Sequence, residues 1–376
     1  MTAEKGTNRA IRKENRNRIF RYICRNGRSS NPSIASALKM SLPTVLQNTR
    51  ELQEAGLLYD AGELDSTGGR KAKTVNVVAD YRCSVGIDIT RNHIVMVLTN
   101  LVGANVDRER ICFPFRDEES YYQYMRKILQ DFLERNHVPE ERILGVGISV
   151  PGIVNHVADR IDRSHVLGLE DYPLGRIAAY IPYKTWFLND ASAGAFAEGF
   201  HAPEDDHFFY LSLNNTVGGC FYDRKKLFEG DHYRSGEVGH TILIPDGRRC
   251  YCGQCGCADP YCSALRLAET EENNNLELFF EKLREGRSME AGRWKEYVHH
   301  VAMLIHNIHM TLDCDIIIGG YVGSAMGDFI EDIRREVRQM DLFDQEASYL
   351  RPCVFKISES AFGVALSEIE DFISRI

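Results

Sequence analysis

The sequence predicts a multi-domain protein in which a basic winged helix-turn-helix head precedes an acidic α/β body of two lobes. Three observations predict it. Charge reverses along the chain: the whole carries 45 Lys/Arg against 54 Asp/Glu, a formal net charge of −9, yet residues 1–75 hold 14 basic and 7 acidic residues. A basic head on an acidic body suggests a phosphate-binding module fused to something else. Hydrophobic periodicity is helical in the head and then alternates between short apolar strands and amphipathic helices. Finally, 376 residues with 44% apolar content suffice for two or three ordinary cores. The boundaries expected are 1–80 for the head, 81–200 for a smaller lobe completed by a C-terminal helix at 361–376, and 201–360 for a larger lobe.

In the head, residues 10–26 read as an amphipathic helix with Ile11, Ile19, Tyr22 and Ile23 inward and Arg12, Arg16, Arg18, Arg21 and Arg25 outward. Asn26-Gly27 ends it. A short helix spans about Pro32 to Leu38. Ser41 is a good N-cap for a third helix, Leu42 to Ala55, whose expected apolar stripe is Leu42, Val45, Thr49 and Leu52. Strands at 57–59 and 73–78 flank a basic loop, Ser66-Thr-Gly-Gly-Arg-Lys-Ala-Lys73. Such a hairpin after two short helices is a winged helix. Pro43, Thr44, Gln47, Asn48 and Arg50 on the third helix are candidates for base edges in the major groove of operator DNA. Arg70, Lys71 and Lys73 on the wing suit backbone or minor-groove contact.

In the body, 83–89 and 94–103 read as an opening hairpin, 118–135 as a helix, and Ile143–Val150 as a buried strand ending in Pro151-Gly152. Residues 186–191 form a strand passing into a helix, His207–Leu213 opens the second lobe, and 316–321 is a late strand with a tight Gly turn. No internal repeat is evident. Asn189-Asp190 falls at a strand end, where Asp190 either caps the following helix or points into a cleft.

The densest chemistry lies in 237–263. His240, Cys250, Cys252 and Cys257, at intervals of ten, two and five residues, form a closed Cys₃His zinc set, structural because no position is left for water. Disulfides are the alternative. Met1 to Arg9 carries no apolar signal region and no run approaches membrane-spanning length, so a cytoplasmic, reducing setting with no membrane partner is expected. Cys255 and Cys262 fit no ligand slot. Glu237 and Asp259 flank the set.

Gly236-Glu-Val-Gly-His240 followed by Cys-x-Cys-Gly-x-x-Gly-Cys resembles the signature of the ROK family of sugar kinases and sugar-responsive repressors. The resemblance implies an actin/hexokinase-like (ribonuclease H-like) body. It also implies a sugar site formed by Asn189, Asp190, Glu237, His240 and Asp259, walled by Pro151 and Gly152. The family's Leu-Glu reads Ala258-Asp259 here. In the kinases the Asp of the Asn-Asp pair is the base that deprotonates a sugar hydroxyl, a role within ordinary carboxylate chemistry.

The nucleotide side departs from the pattern. The family's first phosphate loop, Asp-x-Gly-Gly-Thr-Lys, reads Asp88-Ile-Thr-Arg-Asn-His93. Its second, Gly-Thr-Gly-x-Gly-Gly, reads Asn214-Asn-Thr-Val-Gly-Gly219, and its glycine turn is reduced to Gly319-Gly320-Tyr321, with Tyr321 expected where adenine would lie. Phosphate cradles need glycine so that backbone N–H groups approach closely. Asp190 therefore reads as a vestigial base, and the expected function is a dimeric DNA-binding repressor controlled by a sugar or sugar derivative. A regulator that keeps kinase activity, or one whose body binds a sugar-transport protein, are the alternatives.

Overall fold

The computed structural model describes residues 2–63, 72–203, 205–356 and 358–376, the side chains of 2–9 and Asn273 excepted. The head has helices Thr2–Asn26, Asn31–Leu38 and Leu42–Glu54. The first begins well before the expected position. Ser30 and Ser33 form a reciprocal capping box on the second helix, and Ser41 accepts from Thr44 N on the third, so each start is dictated locally. Strands Leu58–Glu63 and Lys73–Val77 pair antiparallel, with Ser29–Ser30 on the other edge of Lys73–Val77. The core of the head is Ile19, Phe20, Ile23, Ile34, Val45 and Leu52, closed by Val75 and Val77. Ile11 and Leu42, both expected inside, are exposed. The wing loop between the strands, with Arg70 and Lys71, lies outside the described residues; Lys73, at the start of the returning strand, is exposed.

The body contains two five-stranded sheets of one topology. In the first, the order is Thr185–Asn189, Ile143–Val150, Cys83–Ile89, His93–Asn100, Asn105–Cys112; in the second, Leu350–Pro352, Asp315–Gly319, His207–Leu213, Val217–Asp223, Lys226–Phe228. In each, the first strand in sequence is central, an antiparallel meander lies on one side of it and two parallel strands lie on the other. The duplication is one of topology, which is why no repeat is visible in the residues. A small sheet, Ile153–Asn155, Arg160–Ser164 and Leu169–Pro173, extends the first lobe beside the cleft.

The C-terminal helix Glu359–Arg375 follows the last strand of the second lobe but packs on strands Cys83–Ile89 and Ile143–Val150 of the first, and on helix Asp190–Gly199. The approach is close. A Cβ on Gly363 would lie 1.7 Å from the carbonyl oxygen of Ala193, so only glycine permits this helix crossing. One contiguous apolar cluster runs from Ile19, Phe20 and Ile23 in the head through Leu366, Ile369 and Ile373 to Phe208 and Tyr222 in the second lobe. Among the described residues no helix is long and apolar enough to cross a membrane.

Candidate functional site

The metal candidates converge. One donor atom from each of His240, Cys250, Cys252 and Cys257 lies within 4.8 Å of all the others. Cys252 Sγ is 3.7 Å from Cys257 Sγ, and Cys250 Sγ is 3.8 Å from His240 Nδ1. A tetrahedron with zinc–sulfur bonds of about 2.3 Å has edges of about 3.8 Å, so the donor set fits zinc. Backbone bonds Cys250 N to Gln254 O and Gly256 N to Arg248 O fold the loop. Gly256 is obligatory there, with φ +83° and space for a Cβ only 2.1 Å from Ile244 O. Burial pushes the Cys250 thiol up to about 12, so a cation's charge is what would make the thiolate favourable. Cys255 and Cys262 stand outside the cluster.

Beside this loop a cleft of about 120 Å³ opens between the lobes, lined by Pro151, Gly152, His165, Asn189, Asp190, Glu237, His240 and Tyr251 among others. With Nδ1 on the sulfur side, Nε2 of His240 faces the cleft, 3.8 Å from Glu237 Oε2. Burial pushes Asp190 up to about 6. Burial, then the negative charge of Asp190, raises Glu237 above the usual carboxylate range. Contacts bridge the lobes across the cleft: His156 Nε2 lies 3.1 Å from Glu229 Oε1, the His156 ring meets Tyr233 edge-on, and the rings of His165 and Tyr251 stack.

Two expected cleft residues play other parts. Asn189, not Asp190, is the N-cap of helix Asp190–Gly199: its Oδ1 accepts from Ala191 N and Ser192 N. Its Nδ2 donates to Gly152 O and to Asp190 Oδ1. With its carboxamide engaged on both sides, Asn189 holds Asp190 and Gly152 in place at the cleft it lines. Asp259 does not line the cleft. It is buried, and its Oδ2 accepts from Val217 N at 2.7 Å, tying down strand Val217–Asp223.

On the nucleotide side, the carboxamide of Asn214 has replaced backbone freedom. Its Oδ1 accepts from Tyr321 N at 2.8 Å, and its Nδ2 donates to Ser212 Oγ. Tyr321 lines a second cavity of about 460 Å³ rather than filling it; Asp88, Arg91, Arg110, Lys356 and Glu359 share the lining. Burial and then the charge of Asp190 push Asp88 up to about 7, and burial with repulsion from Asp88 and Asp190 pushes Glu359 up to about 8. Sequence reading assigned a C-terminal helix at 361–376 to the first lobe but missed Glu359, because the helix begins two residues earlier than expected, at Glu359.

On the third head helix, Pro43, Gln47 and Arg50 are exposed and Thr44 half-exposed. Asn48 is not available to DNA. It is 2% exposed and its Nδ2 donates to Thr44 O, since Val45, Asn48, Thr49 and Leu52 form the inward stripe. Leu46, 47% exposed, occupies the outer face instead, as an apolar group able to meet a thymine methyl. The arginines of the first helix also divide. Arg21 pairs with Glu370, and Arg16 donates to the carbonyl of Ile376 at 2.6 Å, so part of the basic face grips the body.

A winged helix-turn-helix ahead of a two-lobe body with a Cys/His donor cluster at the cleft defines a regulator built on a sugar-kinase scaffold. Residues 84–366 match the ROK family model, and residues 12–59 match a winged helix-turn-helix DNA-binding model. The chain belongs to the ROK family, and its head makes it a DNA-binding transcriptional regulator of that family. It is 24% identical over 394 residues to the xylose repressor of Caldicellulosiruptor bescii, spanning 98% of each chain. It is 23% identical over 246 residues, 64% of this chain and 60% of the other, to the transcriptional dual regulator NagC of Escherichia coli. A crystal structure of a ROK family transcriptional regulator, a homologue of the E. coli MLC protein, superposes with a TM-score of 0.71 at 18% identity, covering 97% of this chain and all of that one. The body alone matches a Streptomyces griseus ROK glucokinase in complex with glucose and AMPPNP, with a TM-score of 0.63, 20% identity, and 75% and 98% coverage.

Proposed function

We propose that this chain is a repressor whose affinity for an operator is set by a sugar or sugar derivative in the inter-lobe cleft. One observation carries the reading. Asp190, Glu237 and His240, side chains whose polar atoms can bond hydroxyls, line the cleft together, whereas the turn that would cradle phosphate is bound by Asn214. Relatives named as xylose and N-acetylglucosamine repressors favour a sugar effector. Pro43, Thr44, Leu46, Gln47 and Arg50 would meet base edges, with Lys73 and the wing on the backbone. Zinc held by His240, Cys250, Cys252 and Cys257 would cross-link the loop that carries the cleft wall; with four protein donors it is structural.

A homodimer would read a two-fold operator with half-sites about 34–36 Å apart, or multiples of that. Its site of action is the cytoplasm, where the operator is. The test is binding to DNA taken from beside the gene, with and without a panel of sugars. A sugar-dependent change in affinity supports the reading; operator binding unaffected by every sugar in the panel counts against it. A second reading, residual sugar kinase activity, is favoured by the cavity of about 460 Å³ beside Asp190. Sugar-dependent ATP turnover that disappears in Asp190→Asn would establish it.

A further inference from the structure

The ligand-facing nitrogen of His240 already has a partner. With Nδ1 directed at Cys250 Sγ, Nε2 lies 3.2 Å from the hydroxyl of Tyr251. An imidazole that gives its Nδ1 lone pair to a metal carries its proton on Nε2, so it donates and the tyrosine oxygen accepts. Tyr251 stands between two metal candidates, Cys250 and Cys252, so its backbone is fixed by the loop. Its ring stacks on His165 of the opposite lobe, centroids 4.1 Å apart and planes within 14°. Both rings line the cleft.

We propose that Tyr251 is a selectivity residue whose hydroxyl holds the place of a ligand hydroxyl at His240. The favoured ligand is a cyclic polyol with two neighbouring hydroxyls. One takes over the Nε2–H bond and the other donates to Glu237, whose Oε2 is 3.8 Å from Nε2. Binding then displaces Tyr251 from His240 and disturbs its stack with His165, so the step that selects the ligand also loosens a contact between the lobes. The inference rests on the sugar reading of the cleft.

Tyr251→Phe keeps the ring and removes the competing oxygen. Full-length, zinc-loaded protein is titrated calorimetrically with D-xylose, D-glucose and N-acetyl-D-glucosamine, and zinc content is measured for both proteins. The expected result is unchanged zinc and sugar binding about three- to tenfold tighter in Tyr251→Phe, the value of one neutral hydrogen bond. Equal or weaker binding overturns the proposal. A second measurement needs no sugar. In ¹⁵N-histidine-labelled protein, loss of the hydroxyl moves the His240 Nε2 resonance, and an unmoved signal also overturns the proposal. A moved signal with no heat from any of the three sugars in either protein overturns the sugar reading, and with it the ligand assignment, while the Tyr251–His240 contact stands.

Discussion

Cys257 is fully buried with its sulfur 3.7 Å from that of Cys252, so it cannot be replaced by a surface ligand from elsewhere in the loop. Cys257→Ser is expected to lose stoichiometric zinc by elemental analysis and to lower the melting temperature of the body. Structural zinc contributes on the order of 10 kcal/mol to small folded domains, so the loss exceeds that of an ordinary core substitution. Retention of one zinc per chain would refute the ligand set. On the recognition helix, Gln47 is exposed and Asn48 buried. Gln47→Ala should therefore alter base preference by about 1–3 kcal/mol at one position of an operator panel. Asn48→Ala should lower stability and leave that preference intact. Sequence patterning identified the helix but put Leu42 on its inner stripe and Asn48 outside. The inward stripe instead begins at Val45, and Asn48, three residues on, falls within it by bonding its own amide to Thr44 O. The convergence of His240, Cys250, Cys252 and Cys257 was legible because four donors in one loop are local. The fate of Asp259 was not, because it depends on where strand Val217–Asp223 passes.

At the scale of elements, the C-terminal helix connects both lobes to the head. Its first residue, Glu359, lines the larger cavity, and Ser360 Oγ donates to the carbonyl of Asp190 at 3.1 Å. Near its end, Glu370 holds Arg21 and Ile376 O accepts from Arg16. The buried strands of the two sheets were legible as apolar runs, but the edge strands Asn105–Cys112, Lys226–Phe228 and Leu350–Pro352, and strand Val217–Asp223, were not, and the pairing was not either, since the same strand order arises twice from unrelated residues. Glu359 makes the placement testable. Its carboxyl titrates at about 8 in the fold against an ordinary 4.5. Below about 4.5 both folded and unfolded states hold the proton and the stabilisation is complete. Between 4.5 and 8 only the folded state holds it, so stability falls as pH rises through this window, by about 1.4 kcal/mol per unit. Glu359→Gln stays neutral and lacks that slope. The melting temperature of the variant should overtake that of the wild type by at least roughly 5 °C between pH 5 and pH 8. Parallel pH profiles would show that the glutamate is not buried where the helix enters the cavity.

For the molecule as a whole, the proposed sugar effector and the operator must act on the same two-state element if one is to change the affinity for the other. The fold offers one route. Asp190 begins helix Asp190–Gly199, that helix packs on the C-terminal helix through the Ala193–Gly363 contact, and the C-terminal helix holds the first helix of the head. The apolar cluster is continuous along the same path, from Ala195 and Phe196 through Ile369 to Ile19 and Phe20. Apolar packing keeps head and body together, whereas the Arg21–Glu370 pair, with side chains 15% and 12% exposed, fixes their orientation. A largely buried pair of this kind is worth more as an orienting device than as net stability. Glu370→Gln is therefore expected to leave sugar affinity and sugar-free operator affinity within about threefold of wild type, while reducing the change in operator affinity that the sugar causes. Coupling free energies are ordinarily about 1–3 kcal/mol, or 5- to 150-fold, and are reciprocal. The effect of operator DNA on sugar affinity must shrink by the same factor, and calorimetric titration of the sugar with and without operator measures it. The charge-reversed double variant Arg21→Glu/Glu370→Arg should recover the coupling. If it does not, or if Glu370→Gln keeps full coupling, the signal leaves the body by another surface.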